Sequence, residues 1–156
     1  MLHTHPYGAW RDPAMTMILG VAAAAVLGAL AGLHFFWASG GRWGGSVVIP
    51  ELEGKAAFTP TPLATVVVGV LLLGAAGVAL TAAGVRVLPL PLEWVRAGTG
   101  LLSAAFFLRV VGDFRYVGLF KRHRGTRFAQ MDDRLYMPLC IGLAGALAAV
   151  VFLPRP

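Results

Sequence analysis

Arg109 and Asp113 stand four residues apart, and Asp132, Asp133 and Tyr136 follow in one later polar stretch. Residues four apart share a helix face, so Arg109 and Asp113 read as a pair. A guanidinium grips an anion through parallel hydrogen bonds, and a neighbouring carboxylate fixes its orientation. His34 and Trp37 close an uncharged run, and the segment "ASGGRWGGS", residues 38–46, adds Arg42 and Trp43. Together His34, Trp37, Arg42, Trp43, Arg109, Asp113, Asp132 and Tyr136 describe a cationic–aromatic pocket for an anionic or amphipathic small molecule. Arg109 and Arg42 would contact an anion, Asp113 would orient Arg109, and Trp37 and Trp43 would line the walls. The plainer readings are a helix brace for Arg109 and Asp113, a packing role for His34 and membrane-belt positions for the aromatics.

Acid–base chemistry is a second use of the same residues. Histidine is the commonest general base, and Asp113 or Asp132 would orient His34 in a membrane-embedded enzyme. No nucleophile motif, metal-ligand spacing or CxxC pair accompanies it, so no catalytic residue, metal ligand or cofactor is assigned. A haem would need axial ligands, and His34 alone falls in an apolar run, with His3, His5 and His123 outside. The single cysteine, Cys140, excludes an internal disulfide. The glycines of 38–46 follow no strand and lack nucleotide-loop spacing.

The elements that must position these residues follow from hydropathy. Of the 156 residues, 58% are hydrophobic and 13% charged, against about 25% charged in a soluble domain. The whole chain, 1–156, reads as one integral membrane domain. A helix of about 20 apolar residues crosses the hydrocarbon core. Residues 13–41 carry no formal charge, which gives a first span over about 15–37. That run is longer than a signal-peptide core and no A-x-A site follows it. Residues 56–85 are also uncharged, with Pro60 and Pro62 at the start, giving a span over about 62–85. The fourth, about 135–153, is uncharged from Leu135 to Pro154. The third is the shortest. Only 12 uncharged residues separate Arg96 from Arg109, so a span over about 94–116 must carry Arg109 and Asp113 with it. Trp94 and Tyr116 would then sit in the two interfacial belts.

Alternating strands of the kind a barrel needs are absent, so the fold class is all-α, a four-helix transmembrane bundle. Gly20, Ala24, Gly28 and Gly32 form a small-residue stripe on the first helix, and Ala75, Ala79 and Ala83 another on the second. Such stripes let helices approach closely, and the first would serve a homodimer. The net charge is +6, but the basic residues flank apolar runs and no recognition helix or aromatic–basic ribbon appears. The partners are therefore the lipid bilayer and no nucleic acid. Seven Lys and Arg in the 38–61 and 117–134 loops face four on the other side. The positive-inside rule makes the loop side cytoplasmic and sends both termini outward. The run "KRHRGTR" fits a stop-transfer flank or an anionic-lipid contact.

The segments "LHFFWASGGRWGG" and "LRVVGDFRYVGLFKRHRGTRFAQMDDRLYMPLC" resemble a family of small bacterial membrane proteins known only as a four-span domain of unknown function. The resemblance rests on HxxWxxGGxWG from His34, and on RxxGDFxxxGLFK and FAxxDxRLYxPLC from Arg109 to Cys140. It falls on His34, Trp37, Gly40, Gly41, Trp43, Gly44 and Pro50. It continues on Arg109, Gly112, Asp113, Phe114, Gly118, Lys121, Phe128, Asp132, Tyr136, Pro138 and Cys140. It implies four helices and the same polar end, but no reaction, cofactor or ligand. Three functions stay open. The first is a protein binding or transporting the small molecule. The second is a structural or accessory membrane subunit, and the third is the His34 enzyme.

Overall fold

The computed structural model describes residues 13–52 and 55–152. Arg11 and Arg155, which enter the charge bias, and the outward termini lie outside the described residues. In chain order the elements are α1 (Pro13–Ala38), α2 (Gly45–Val48), α3 (Pro62–Ala82), α4 (Leu92–Val111), α5 (Arg127–Met131) and α6 (Met137–Phe152). A π-helical turn, Asp132–Tyr136, joins α5 to α6, so Arg127–Phe152 is one helical rod of 26 residues. Between α2 and α3 two two-residue strands pair antiparallel, Glu51 opposite Ala56 and Leu52 opposite Lys55. The fold is all-α. Four of its helices are long and apolar enough to cross a bilayer, which makes this a multi-pass membrane protein.

Local chemistry sets the helix limits. Thr61 caps α3 through its Oγ1, which accepts from the Ala64 amide at 3.2 Å, and Pro62 supplies the first helical position, where a missing N–H costs nothing. The second span stops at Ala82, short of the expected residue 85, as Gly84 turns the chain at φ 99°. The third span covers Leu92–Val111 instead of 94–116. Its end is fixed by Gly112 at φ 89°, ψ −171°, a backbone region essentially reserved for glycine. Asp113 and Tyr116 are therefore loop residues, and the four-residue face shared with Arg109 does not form.

Packing is organised as two close pairs, α1 with α3 and α4 with α6, joined along α1–α6 and α3–α4. Small residues make the first pair: a Cβ at Gly20 would lie 2.4 Å from the Ala83 Cβ. The N-terminal part of the first-helix stripe thus packs within the chain, while a Cβ added at Gly28 or Gly32 would meet nothing from another element within 4 Å. In the second pair the Ser103 hydroxyl donates to the Ala144 carbonyl across the helices at 2.8 Å. Leu27 and Leu147, both fully buried, meet in the common core. Large apolar side chains such as Ile18, Leu71, Leu101 and Phe107 are exposed, as lipid-facing residues must be when the solvent is hydrocarbon.

Candidate functional site

The chain from Gly112 to Tyr136 builds a charged cluster at one end of the bundle. Gly112 and Gly118 (φ 84°) pinch a loop so tightly that a Cβ on Gly112 would sit 1.8 Å from the Val117 carbonyl oxygen. Inside this loop Asp113 Oδ1 accepts from the amides of Arg115, Tyr116 and Val117 at 2.9, 2.7 and 2.9 Å. Its carboxyl lies below the ordinary carboxylate value. Partial desolvation, the largest single influence, pushes it up, but the backbone amides together pull it down further. Asp113 orients its own loop and not Arg109.

The partner of Arg109 is Asp132, 23 residues on. Arg109 Nη2 donates to Asp132 Oδ1 at 2.7 Å. Asp132 Oδ2 accepts from Lys121 Nζ at 2.9 Å and from the Gly118 amide at 2.9 Å. Lys121 also donates to the Gly118 carbonyl at 3.2 Å and to Asp133 Oδ1. All three ammonium protons are thereby used. The side chains of Lys121 and Asp132 are 0% exposed, whereas those of Arg109 and Asp133 are 32% and 40% exposed. Two cations face two carboxylates, so the cluster is neutral as a unit. Its unfilled valence is Arg109 Nη1, the one buried side-chain polar atom without a hydrogen-bond partner among the described residues.

His34 and Trp37 belong to a different structure at the same end. His34 Nδ1 lies 2.7 Å from the Leu30 carbonyl oxygen, and its ring meets Trp37 edge-on, with centroids 5.2 Å apart. A carbonyl can only accept, so Nδ1 carries a proton, and in the uncharged form of the ring Nε2 is then the acceptor. Trp37 Nε1 donates to the Trp43 carbonyl at 2.8 Å, which folds the glycine-rich segment back over the helix. Gly41 lies so close to the Phe36 ring that a Cβ there would come within 2.4 Å. These residues, α2 and the start of α3 enclose a cleft of about 680 Å³. His34, Trp37, Val48, Phe58, Thr61, Thr65 and Val68 are among its walls.

Among the eight residues singled out by sequence, His34 and Trp37 line the cleft, and Arg109 and Asp132 form the cluster. Tyr136 links the two, its hydroxyl donating to the Val47 carbonyl at 3.1 Å while its ring packs near Phe128. Trp43 is 72% exposed and Arg42 is exposed beside it, with neither side chain among the walls of the cleft. Asp113 is held in its own turn. Lys121 stands in the resemblance motif, but at the head of the basic run "KRHRGTR" it reads as part of a membrane flank, not as a buried ion-pair partner. The signal available was Gly118 three residues before Lys121, followed by two consecutive aspartates. Thr61 and Thr65 gave no signal, since hydroxyls at a helix start read as caps.

Fold and site define an α-helical multi-pass membrane protein with a self-neutralised polar lock beside an open cleft at one end of its bundle. The chain belongs to the family described as "Protein of unknown function (DUF3995)", whose model matches residues 26–147. The matched region runs from the middle of α1 to the last third of α6 and includes both features. No curated protein and no solved structure matches the chain.

Proposed function

We propose that this protein binds an amphipathic small molecule in the cleft between α1, α2 and α3. The observation that carries the reading is the cleft itself. Its volume of about 680 Å³ falls in the range of small-molecule sites, roughly 300–1,000 Å³. Its walls are apolar along Val48, Ile49, Phe58 and Val68, and polar at His34, Thr61 and Thr65. The charged cluster is the scaffold in this reading: it fixes the 112–126 loop and, through Tyr136, the α2 wall. The same cluster is what a purely structural subunit would use, and its internal neutrality favours that reading as the alternative for Arg109, Lys121 and Asp132.

The setting we propose is a bacterial inner membrane with the cleft end toward the cytoplasm. The concentration of Arg and Lys in the loops at that end supports it. Gly28 and Gly32, which face open space, are the part of the first-helix stripe left for a second copy.

The test is photolabelling of protein in lipid nanodiscs with dodecyl probes bearing a mid-chain diazirine and an alcohol, carboxylate or phosphate head. Saturable labelling concentrated on residues 48–68, abolished by the cleft-filling substitution Ala64→Trp, is expected from at least one head. Labelling spread evenly over the lipid-facing helices for every probe would overturn the reading.

A further inference from the structure

The cleft also carries information about the head group it accepts. We propose that it selects an uncharged, hydroxyl-headed amphipath, a long-chain or isoprenoid alcohol or a phenol, over an anionic one. The inference rests on the binding reading above and narrows its ligand.

Three observations converge on it. First, among the described residues that line the cleft none is Lys, Arg, Asp or Glu. Two cations at the same end of the bundle are committed elsewhere, Arg109 and Lys121 being paired with Asp132, and the exposed Arg42 is not among the cleft walls. An anion entering would lose hydration and meet no opposite charge. Second, the Leu30 carbonyl selects the tautomer of His34 with its proton on Nδ1, so that the uncharged ring has its lone pair at Nε2. A carboxylate or phosphate would bring a second lone pair against it, whereas a hydroxyl donates to it. Third, Thr61 Oγ1 accepts from the Ala64 amide and Thr65 donates to the Thr61 carbonyl. The proton of the Thr61 hydroxyl remains available to the oxygen of a bound alcohol. A hydroxyl head is at once donor and acceptor and matches both partners. An ammonium head can only donate.

Depth agrees with this chemistry. His34 lies four residues inside the end of α1 and Thr65 three inside the start of α3, about 6 and 5 Å below the helix ends at 1.5 Å per residue. The polar wall is thus at the level where a head group enters the hydrocarbon. Val68 lies a further turn down, along the course of a tail.

The experiment extends the photolabelling series at about pH 8, where an ordinary imidazole is neutral and a carboxylate ionised. Labelling is compared at equal bilayer mole fraction. The alcohol probe is expected to label residues 48–68 at least about tenfold more efficiently than the carboxylate or phosphate probe, a preference of the size one good hydrogen bond plus one avoided repulsion supplies. His34→Leu should reduce alcohol labelling roughly five- to tenfold, and His34→Gln, which keeps an acceptor oxygen, should restore most of it. Equal or better labelling by either anionic probe overturns the head-group inference while leaving the cleft as a binding site. So does undiminished alcohol labelling of a folded His34→Leu protein. If His34→Leu fails to fold, the head-group series on the unaltered protein decides. Failure of all three probes sinks the cleft reading itself, a distinct result.

Discussion

The Asp132 cluster and the His34 cleft share one end of the bundle and a tether, Tyr136 to Val47, yet they handle polarity in opposite ways. In the cluster every charge is answered from within the chain. Two fully buried side chains, Lys121 and Asp132, spend their hydrogen-bonding capacity on each other, on Arg109, on Asp133 and on Gly118. Apart from one buried Arg109 N–H such a group has little left to offer a ligand, and removing one member leaves its partner buried and unpaired. In the cleft the polar atoms are few and uncharged, and one of them, Nε2 of His34, is left unanswered. The first arrangement suits holding a loop in place, the second suits recognition. Proximity of ionisable residues to one another therefore says little about where a ligand goes; the valence they leave unfilled says more.

In the proposed reading the cluster is a determinant of stability and the cleft a determinant of binding. Asp132→Asn should have the largest effect, because it strands Lys121 and Arg109 with only the half-exposed Asp133 for compensation. A loss of about 3–5 kcal/mol is expected, read as a lowered unfolding temperature in a single detergent. Gly112→Ala comes next. It forces a side chain into a glycine backbone region and against the Val117 carbonyl, for about 1–3 kcal/mol from the backbone conformation alone. Gly28→Ala, with open space around it, is the control and should not destabilise. Tyr136→Phe removes one hydrogen bond between cluster and cleft, worth about 1 kcal/mol, and should weaken probe labelling of α2 along with it. His34→Leu should leave the unfolding temperature close to that of the unaltered protein while labelling falls; a drop as large as that of Asp132→Asn would erase the contrast.

A slight, pH-dependent effect belongs to Asp113. Its carboxyl is depressed in the folded protein, so the stabilisation it contributes is complete above the ordinary carboxylate value, near about 4. That contribution disappears as pH falls through the lower folded-state value. Acid unfolding followed by circular dichroism should be less steep in Asp113→Asn than in the unaltered protein, and the two should differ in slope only at acid pH. The group is exposed and solvent screens it, so the change is slight.

Much of this was legible in one dimension. The apolar runs match the first and second long helices to within a few residues, and the fourth at its C-terminal end but not at its start, Arg127, because a bilayer demands a length and a composition that few other contexts impose. The third was placed too far toward the C-terminus. Arg109 and Asp113 at i and i+4 looked like one helix face, and nothing in a hydropathy pattern marks the conformation of Gly112 that ends the helix before Asp113. The polar end of the molecule was also legible: His34, Arg109, Asp132 and Tyr136 all lie there. Their division into a lock and a cleft was not, since Arg109 could have answered Asp113, Asp132 or a ligand with equal chemistry.

What the sequence determined by itself was therefore the solvent and the architecture: 58% hydrophobic residues in four runs leave the backbone no way to satisfy its hydrogen bonds except within helices. What only the tertiary structure decided was which polar atoms answer one another. Hydrogen-bond valence is short-ranged and is filled by whatever the fold brings within about 3 Å, across 23 residues for Arg109 and Asp132, across 89 for Tyr136 and Val47, and for His34 Nε2 by no residue described in this chain.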